Sequence, residues 1–377
     1  MRVGIDARIA SYTLGGTGVY ARRLSEALAV LPEIAKHELL LLHAPRTPAA
    51  FVPPRAARVH DERLFTPSHH RLEQLLLPLE LAPRRMDVLH STDYIPPFVR
   101  TFRSVITVHD LAFLRWPELL TPDSRRYFNG HIRRAVRSAD RIIAVSQATA
   151  RDLVELLDVP ERKIDVVYEA GWLPSDVILS GAKDLATLAG EDPSAAQRPQ
   201  DDGPRDYVLF AGTYEPRKNL PLLVRAFAQV RRRGYEGSLV LAGRRGWLAE
   251  PLYAEVERQA LGDAVVMTDL QPELYRRARL LAFPSLYEGF GLPVLEAMSV
   301  GTPVVTSNLS SLPEVAGDAA LLVDPHDETA VADAMWRILS DAALAEDLGR
   351  RGRQQAAKFS WERAARDTLA VYEKAAS

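Results

Sequence analysis

Residues 280–308 read LLAFPSLYEGFGLPVLEAMSVGTPVVTSN. The stretch opens on a short apolar run closed by Pro284 and ends on a second, 303-PVVTSN-308. Between them lie a glycine-bearing loop, 286-LYEGFG-291, and a run read as a helix, 292-LPVLEAMSVG-301, with Pro293 where a helix tolerates a missing N–H. Strand, loop, helix and strand in that order form a βαβ unit, and such a unit implies a parallel sheet covered by helices.

The same alternation extends in both directions. Toward the C-terminus comes 319-AALLVD-324; toward the N-terminus lie the strands 206-DYVLFAG-212, 238-SLVLAG-243 and 264-AVVMTD-269 with helical stretches between them. Before residue 170 the strands 2-RVGIDAR-8, 37-HELLLLHA-44, 87-DVLHS-91, 104-SVITVHD-110, 141-RIIAVS-146 and 163-KIDVVY-168 repeat the pattern, with helices at 19–31 and 146–157. From about Glu169 to Arg205 the text turns small, polar and rich in Pro and Gly, as a linker does. The expectation is an α/β protein with two doubly wound, Rossmann-like domains, 1–169 and 206–358, a flexible linker or insert at 170–205, and a ligand cleft between the domains. Ser360 is a plausible N-cap for a final helix whose Trp361, Ala365, Leu369 and Tyr372 share one face; residues 359–377 are expected to pack back toward the N-terminal domain.

Composition excludes several classes. The 377 residues are 47% hydrophobic and 25% charged, as in a soluble globular protein of about two domains. Cysteine is absent, which removes disulfides and thiolate metal sites and suits a reducing cytoplasm. No apolar run approaches the ~18 residues of a membrane span, and the opening residues lack a signal-peptide pattern, so a cytoplasmic location is expected. A net charge of -2, slightly positive before residue 170 and negative after it, is too weak for a nucleic-acid footprint. Arginine pairs at 22–23, 84–85, 125–126 and 133–134 read either as solvated helix faces or as a surface resting peripherally on anionic lipid at the inner face of a membrane.

Ligands of doubly wound sheets sit outside the carboxyl ends of the strands, so the loops there carry the chemistry. Gly15, Gly16 and Gly18 precede a helix and let the backbone approach a phosphate, or simply make a tight turn. Their spacing is not G-x-G-x-x-G and no acidic residue ends the second strand, which argues against a nicotinamide enzyme. After Gly212, Arg217 and Lys218 stand before the next helix, where two cations and a helix N-terminus suit a diphosphate; a solvated loop is the alternative. Glu288 in the loop and Glu296 in the first helical turn can each accept two hydrogen bonds from vicinal sugar hydroxyls; alternatively Glu296 is a favourable charge at a helix start and Glu288 a solvated residue. His109, at a strand's end, reads as a sugar contact or as a satisfied structural histidine, and His90 occupies a similar place. No D-x-D motif is present, so no metal is expected.

Together 288-EGFGLPVLE-296, 212-GTYEPRKN-219, 106-ITVHDLAF-113, 142-IIAVSQATARDL-153 and 359-FSWERAA-365 resemble the retaining glycosyltransferases of family 4, whose fold is GT-B. The resemblance covers nearly the whole chain apart from the linker. It implies hexosyl transfer with retained configuration from a nucleotide sugar, GDP-mannose before UDP-glucose, to a saccharide or lipid-linked acceptor, with no cofactor and no metal. It also implies roles: Glu296 on the ribose, Glu288 by the transferred sugar, and Gly289, Phe290, Gly291 and Leu292 offering backbone groups to the donor. Lys218 and Arg217 would hold the leaving diphosphate beside Gly212 and Thr213, His109 would contact the donor sugar, and Gly15, Gly16 and Gly18 would close over phosphates or acceptor. Two departures stand out: Thr213 occupies a position where the family often has arginine, and the hinge reads VVYEAGWLPSD with a long insert behind it. The same architecture also serves nucleotide-sugar epimerases, and a non-catalytic nucleotide-sugar-binding protein is a third reading.

Overall fold

The structure is a computed structural model describing residues 1–12, 15–45, 58–70, 72–117, 122–171, 206–246 and 249–377, with backbone only for 122–129. The segment expected to be a flexible linker therefore lies outside the described residues, apart from Ala170 and Gly171. The chain divides into two compact units, Met1–Ala170 with Phe359–Ser377, and Gly171–Lys358.

The first unit is built on β1 (Arg2–Asp6), β2 (Glu38–His43), β3 (Val59–Arg63), β4 (Val88–Ser91), β5 (Arg103–Val108), β6 (Arg141–Ala144) and β7 (Ile164–Val166), in spatial order β3-β2-β1-β4-β5-β6-β7. Every pair is parallel. Helices α1 (Gly16–Val30), α2 (Glu73–Leu81), α3 (Ala112–Arg115), α4 (Pro122–Ser138) and α5 (Gln147–Leu157) connect the strands. Parallel strands covered on both faces must be apolar along their length, which is why LLLL in β2 and VLHS in β4 are buried throughout. Among the described residues strand β3, VHDER, pairs only with β2 and is largely exposed, so it carries no apolar run and gives no strand signal in the sequence.

The second unit repeats the design with β8 (Tyr207–Ala211), β9 (Ser238–Ala242), β10 (Val265–Thr268), β11 (Leu280–Phe283), β12 (Val304–Ser307) and β13 (Leu321–Val323), in order β10-β9-β8-β11-β12-β13 and parallel throughout. All six strands fall where the alternation predicts. Helices α6 (Leu220–Arg232), α7 (Glu250–Arg258), α8 (Pro272–Arg277), α9 (Leu292–Val300), α10 (Leu312–Ala316), α11 (Glu328–Ser340) and α12 (Ala342–Ala356) complete the unit. The near-uniform apolarity of α9 has a packing cause: its outer face is covered by α12. A side chain at Gly352 would press on Met298, and one at Gly349 would meet the Gly301 carbonyl oxygen at 2.4 Å.

The final helix α13 (Trp361–Ala376) belongs to the first unit, and Ser360 caps it by accepting a hydrogen bond from the Arg363 amide. Its Ala365, Leu369 and Tyr372 join Tyr20, Leu24 and Leu28 of α1 in one buried cluster. Tyr372 Oη lies 2.7 Å from His90 Nδ1, His90 Nε2 lies 2.7 Å from Thr107 Oγ1, and Tyr20 Oη lies 2.9 Å from the same hydroxyl. Burial holds His90 neutral, its pKa pushed down to about 3, so it is a structural histidine. Among the described residues no helix is long and apolar enough to cross a membrane.

Candidate functional site

In the second unit the strand order reverses between β8 and β11, and the crevice outside their carboxyl ends is where a doubly wound sheet takes a ligand. The loop after β8, Gly212–Asn219, ends in a single turn over Pro216–Lys218; the loop after β11 carries Glu288. They are tied together by backbone and side chain. Leu286 N–H donates to the Arg217 carbonyl at 2.8 Å. Asn219, left-handed at φ 59, turns its side-chain amide to the Pro284 carbonyl at 3.3 Å and the Pro325 carbonyl at 2.7 Å. With its side chain so engaged, Asn219 does not cap α6, and α9 likewise starts without a side-chain cap. Two helix N-termini with their favourable dipoles therefore flank the loops.

The charges meet at Glu288. One carboxylate oxygen accepts from Lys218 Nζ at 2.6 Å and the other from Arg217 Nη1 at 2.9 Å. Arg217 also donates through Nε to Glu215 at 2.9 Å and through Nη1 to the Tyr287 carbonyl at 3.0 Å. Lys218 is 6% exposed and Glu288 7%, so the solvated-loop alternative fails for both: burial has placed ionised groups where only partners keep them charged. Burial alone would raise the Glu288 pKa, but the adjacent Lys218 and Arg217 charges outweigh it and hold the carboxyl at about 2. The sign follows: a depressed carboxylate contributes stability above its unfolded value near ~4.3 and loses it as pH falls toward 2. Lys218 is pulled below the ordinary lysine value by burial and by Arg217, with Glu288 opposing.

The glycine loop is held from the next crossover. Ser311 Oγ donates to the Glu288 carbonyl at 2.9 Å and the Phe290 carbonyl at 2.7 Å, and Glu288 N–H donates to Ser310 Oγ at 3.0 Å. Gly291 caps α9 with φ 114, and a Cβ there would also stand 2.8 Å from Leu312 Cδ2, so only glycine fits without strain. Because Gly291 starts the helix at Leu292, Glu296 lies in the second turn and not the first, which removes the helix-start explanation for its charge. It is 3% exposed and accepts a hydrogen bond from the buried Tyr275 of α8. Gly289 and Phe290 are buried in the same loop, Leu292 is half-buried at the start of α9, and Gly212 and Thr213 stand at the end of β8.

The remaining expected residues belong to the first unit. Gly16 and Gly18 do not precede α1 but form its first turn, with Gly15 as N-cap; first-turn amides need no intrahelical partner, so the helix begins three residues earlier than its apolar period suggests. His109 follows β5 and is only 14% exposed in its side chain; Nδ1 lies 2.9 Å from Glu169 and Nε2 3.0 Å from the Thr92 carbonyl. Both ring nitrogens are thus engaged, and a hydrogen bond to a sugar requires the Thr92 contact to give way. Burial would lower the His109 pKa, but the Glu169 hydrogen bond and charge overcome it and raise the value. A raised histidine contributes stability fully below its unfolded pKa of ~6.5 and loses it as pH rises through the folded value. Glu169→Gln is expected to cost about 1–3 kcal/mol at pH 6 and less above neutrality. Thermal melts at pH 5.5 and 8.5 check this; an equal loss at both pH values would show that the pair carries no charge.

Glu215, Tyr275, Ser310 and Ser311 escaped sequence reading. Only Glu215, inside the same motif as Lys218, carried a signal; the others lie in separate crossovers and reach the site through the sheet order.

The family model for glycosyl transferases group 1 matches residues 193–355, and that for glycosyltransferase family 4 matches 14–170. The O-antigen chain mannosyltransferase B of Escherichia coli is 34% identical over 96% of both chains. Among solved structures, sucrose-phosphate synthase from Thermosynechococcus elongatus superposes with a TM-score of 0.73 at 23% identity, covering 99% of this chain and 98% of that one. Anabaena HepE, solved in complex with UDP and glucose, superposes with a TM-score of 0.69 at 18% identity, covering 99% of this chain and all of its own.

Proposed function

The chain belongs to the family 4, group 1 glycosyltransferases of GT-B fold, and we propose that it transfers a mannosyl group from GDP-mannose to a saccharide or lipid-linked acceptor, with retention and without a metal. The observation that carries the reading is the buried Lys218–Glu288 pair with half-buried Arg217 at the strand-order reversal of the second sheet, beside two helix starts without side-chain caps. Breaking a glycosyl–phosphate bond develops negative charge on the departing diphosphate and positive charge on the sugar ring. Lys218, Arg217 and the helix N-termini face the first, and Glu288 the second; oriented charges in a water-poor site stabilise such a transition state far more than mobile ones in water. Glu296, aimed by Tyr275, is assigned to the ribose hydroxyls. Retention is attributed to attack from the face of the leaving group, so no protein nucleophile is invoked. The preference for mannose rests on the relative named a mannosyltransferase, and UDP-glucose is the competing donor. A place in the cytoplasm, at the inner face of a membrane where the acceptor is lipid-linked, completes the proposal.

The test is a thermal-shift panel of the whole protein with GDP-mannose, UDP-glucose, UDP-N-acetylglucosamine and ADP-glucose, each with and without EDTA, followed by analysis of the sugar released or transferred. A selective shift with GDP-mannose that survives EDTA, and product with the donor's anomeric configuration, is the expected result. A selective shift with another donor overturns the mannose assignment, loss with EDTA overturns the metal-free chemistry, and silence with all four overturns the donor site.

A further inference from the structure

The cluster at the proposed diphosphate site is electrically balanced. Two cations, Arg217 and Lys218, face two carboxylates, Glu215 and Glu288, and the guanidinium is divided between them at 2.9 Å each. These side chains are 8–19% exposed, so solvent screens the contacts only in part. A diphosphate arriving here meets no net positive side-chain charge. A diphosphate that binds through Arg217 competes with Glu215 and Glu288 for the charge of the guanidinium they already share. Glu288 is also held by Lys218, whereas Glu215 bridges Arg217 alone among the ion pairs of the described residues.

We propose that Glu215 is a positioning residue that sets the affinity for the nucleoside diphosphate by competing with it for Arg217. The proposal rests on the reading of Lys218 and Arg217 as diphosphate ligands and adds to it a residue outside the ligand set. Its purpose follows from the reaction. After transfer the departing diphosphate carries more negative charge than it did as a glycosyl ester, and a site with unopposed cations would hold the product. A carboxylate ready to reclaim the guanidinium lowers the barrier to product release, at the expense of ground-state affinity for the donor.

Two substitutions, Glu215→Gln, which keeps the shape, and Glu215→Ala, separate this from a structural role. Calorimetric titration of the full-length protein with GDP and UDP is expected to show binding of the preferred nucleotide tightened by about fivefold to tenfold in both variants. Binding of the corresponding nucleoside, which has no phosphate, should not change. Steady-state kinetics should show KM for the donor and kcat falling together, with stronger product inhibition. Unchanged or weaker diphosphate binding in variants that melt at the wild-type temperature overturns the proposal, as does equal tightening of the nucleoside. Lys218→Ala, titrated in parallel, tells the two failures apart. If it weakens diphosphate binding while the Glu215 variants change nothing, competition by Glu215 is wrong; if it too changes nothing, the diphosphate site itself is wrong.

Discussion

Lys218→Ala is expected to lower kcat/KM for transfer by about 10²–10³-fold, the usual cost of removing one oriented group from a developing negative charge. The loss should exceed the loss in donor affinity, because charge on the leaving diphosphate is greater in the transition state than in the bound donor. The substitution also leaves Glu288 short of its closest partner at 2.6 Å, so some destabilisation accompanies it. Arg217 still faces that carboxylate at 2.9 Å and should keep the unit folded. Steady-state kinetics beside a thermal melt check both statements. Wild-type kcat/KM in a folded Lys218→Ala protein would remove the lysine from the chemistry.

Deleting residues 359–377 is expected to unfold the first unit. Leu369 and Tyr372 are buried against α1, and Tyr372 closes the hydrogen-bonded chain through His90 and Thr107 to Tyr20. Removing a large buried side chain costs about 2–5 kcal/mol, and the deletion removes several at once, against a total domain stability of about 5–15 kcal/mol. It also strands His90, which burial keeps neutral at neutral pH. Circular dichroism and limited proteolysis of the truncated chain should report loss of structure in 1–170, with 206–358 still folded. A truncated protein with wild-type melting behaviour would show that the helix is an appendage. Tyr372→Phe, which removes only the hydroxyl, should cost about 1 kcal/mol and leaves the packing argument testable by itself.

Strands and their order of appearance were legible because a buried parallel strand must be apolar over its whole length, and segments such as 207–211 and 238–242 have no other reading. Strand β3 was not, since an edge strand escapes that requirement. Helices α11 and α12 also went unread: their apolar positions recur within a charged background, and the signal at 328–356 is weaker than the glycine-marked loops around it. For the site, residue types and spacing singled out Glu288 and Glu296 as chemically costly in an apolar context, and Lys218 with Arg217 as cations just before a helix start. Their partners could not be read the same way. Tyr275 and Glu296 are 21 residues apart and belong to different crossovers, and nothing in PELYRRA marks a tyrosine that aims a carboxylate.

Hydrophobic period and turn chemistry are short-range properties, so local text was enough to specify two doubly wound sheets and to mark the loops at their carboxyl ends. Which groups meet there is a long-range matter. Glu288 reaches Lys218 across 70 residues because β8 and β11 are neighbours at the point where strand order reverses. The charge state of each group was likewise settled by tertiary packing: His90 and His109 stand at the ends of adjacent strands, yet burial keeps one neutral while Glu169 raises the pKa of the other. A side chain's ionisation depends on the charges and solvent around it, and those are assembled only when the sheet closes.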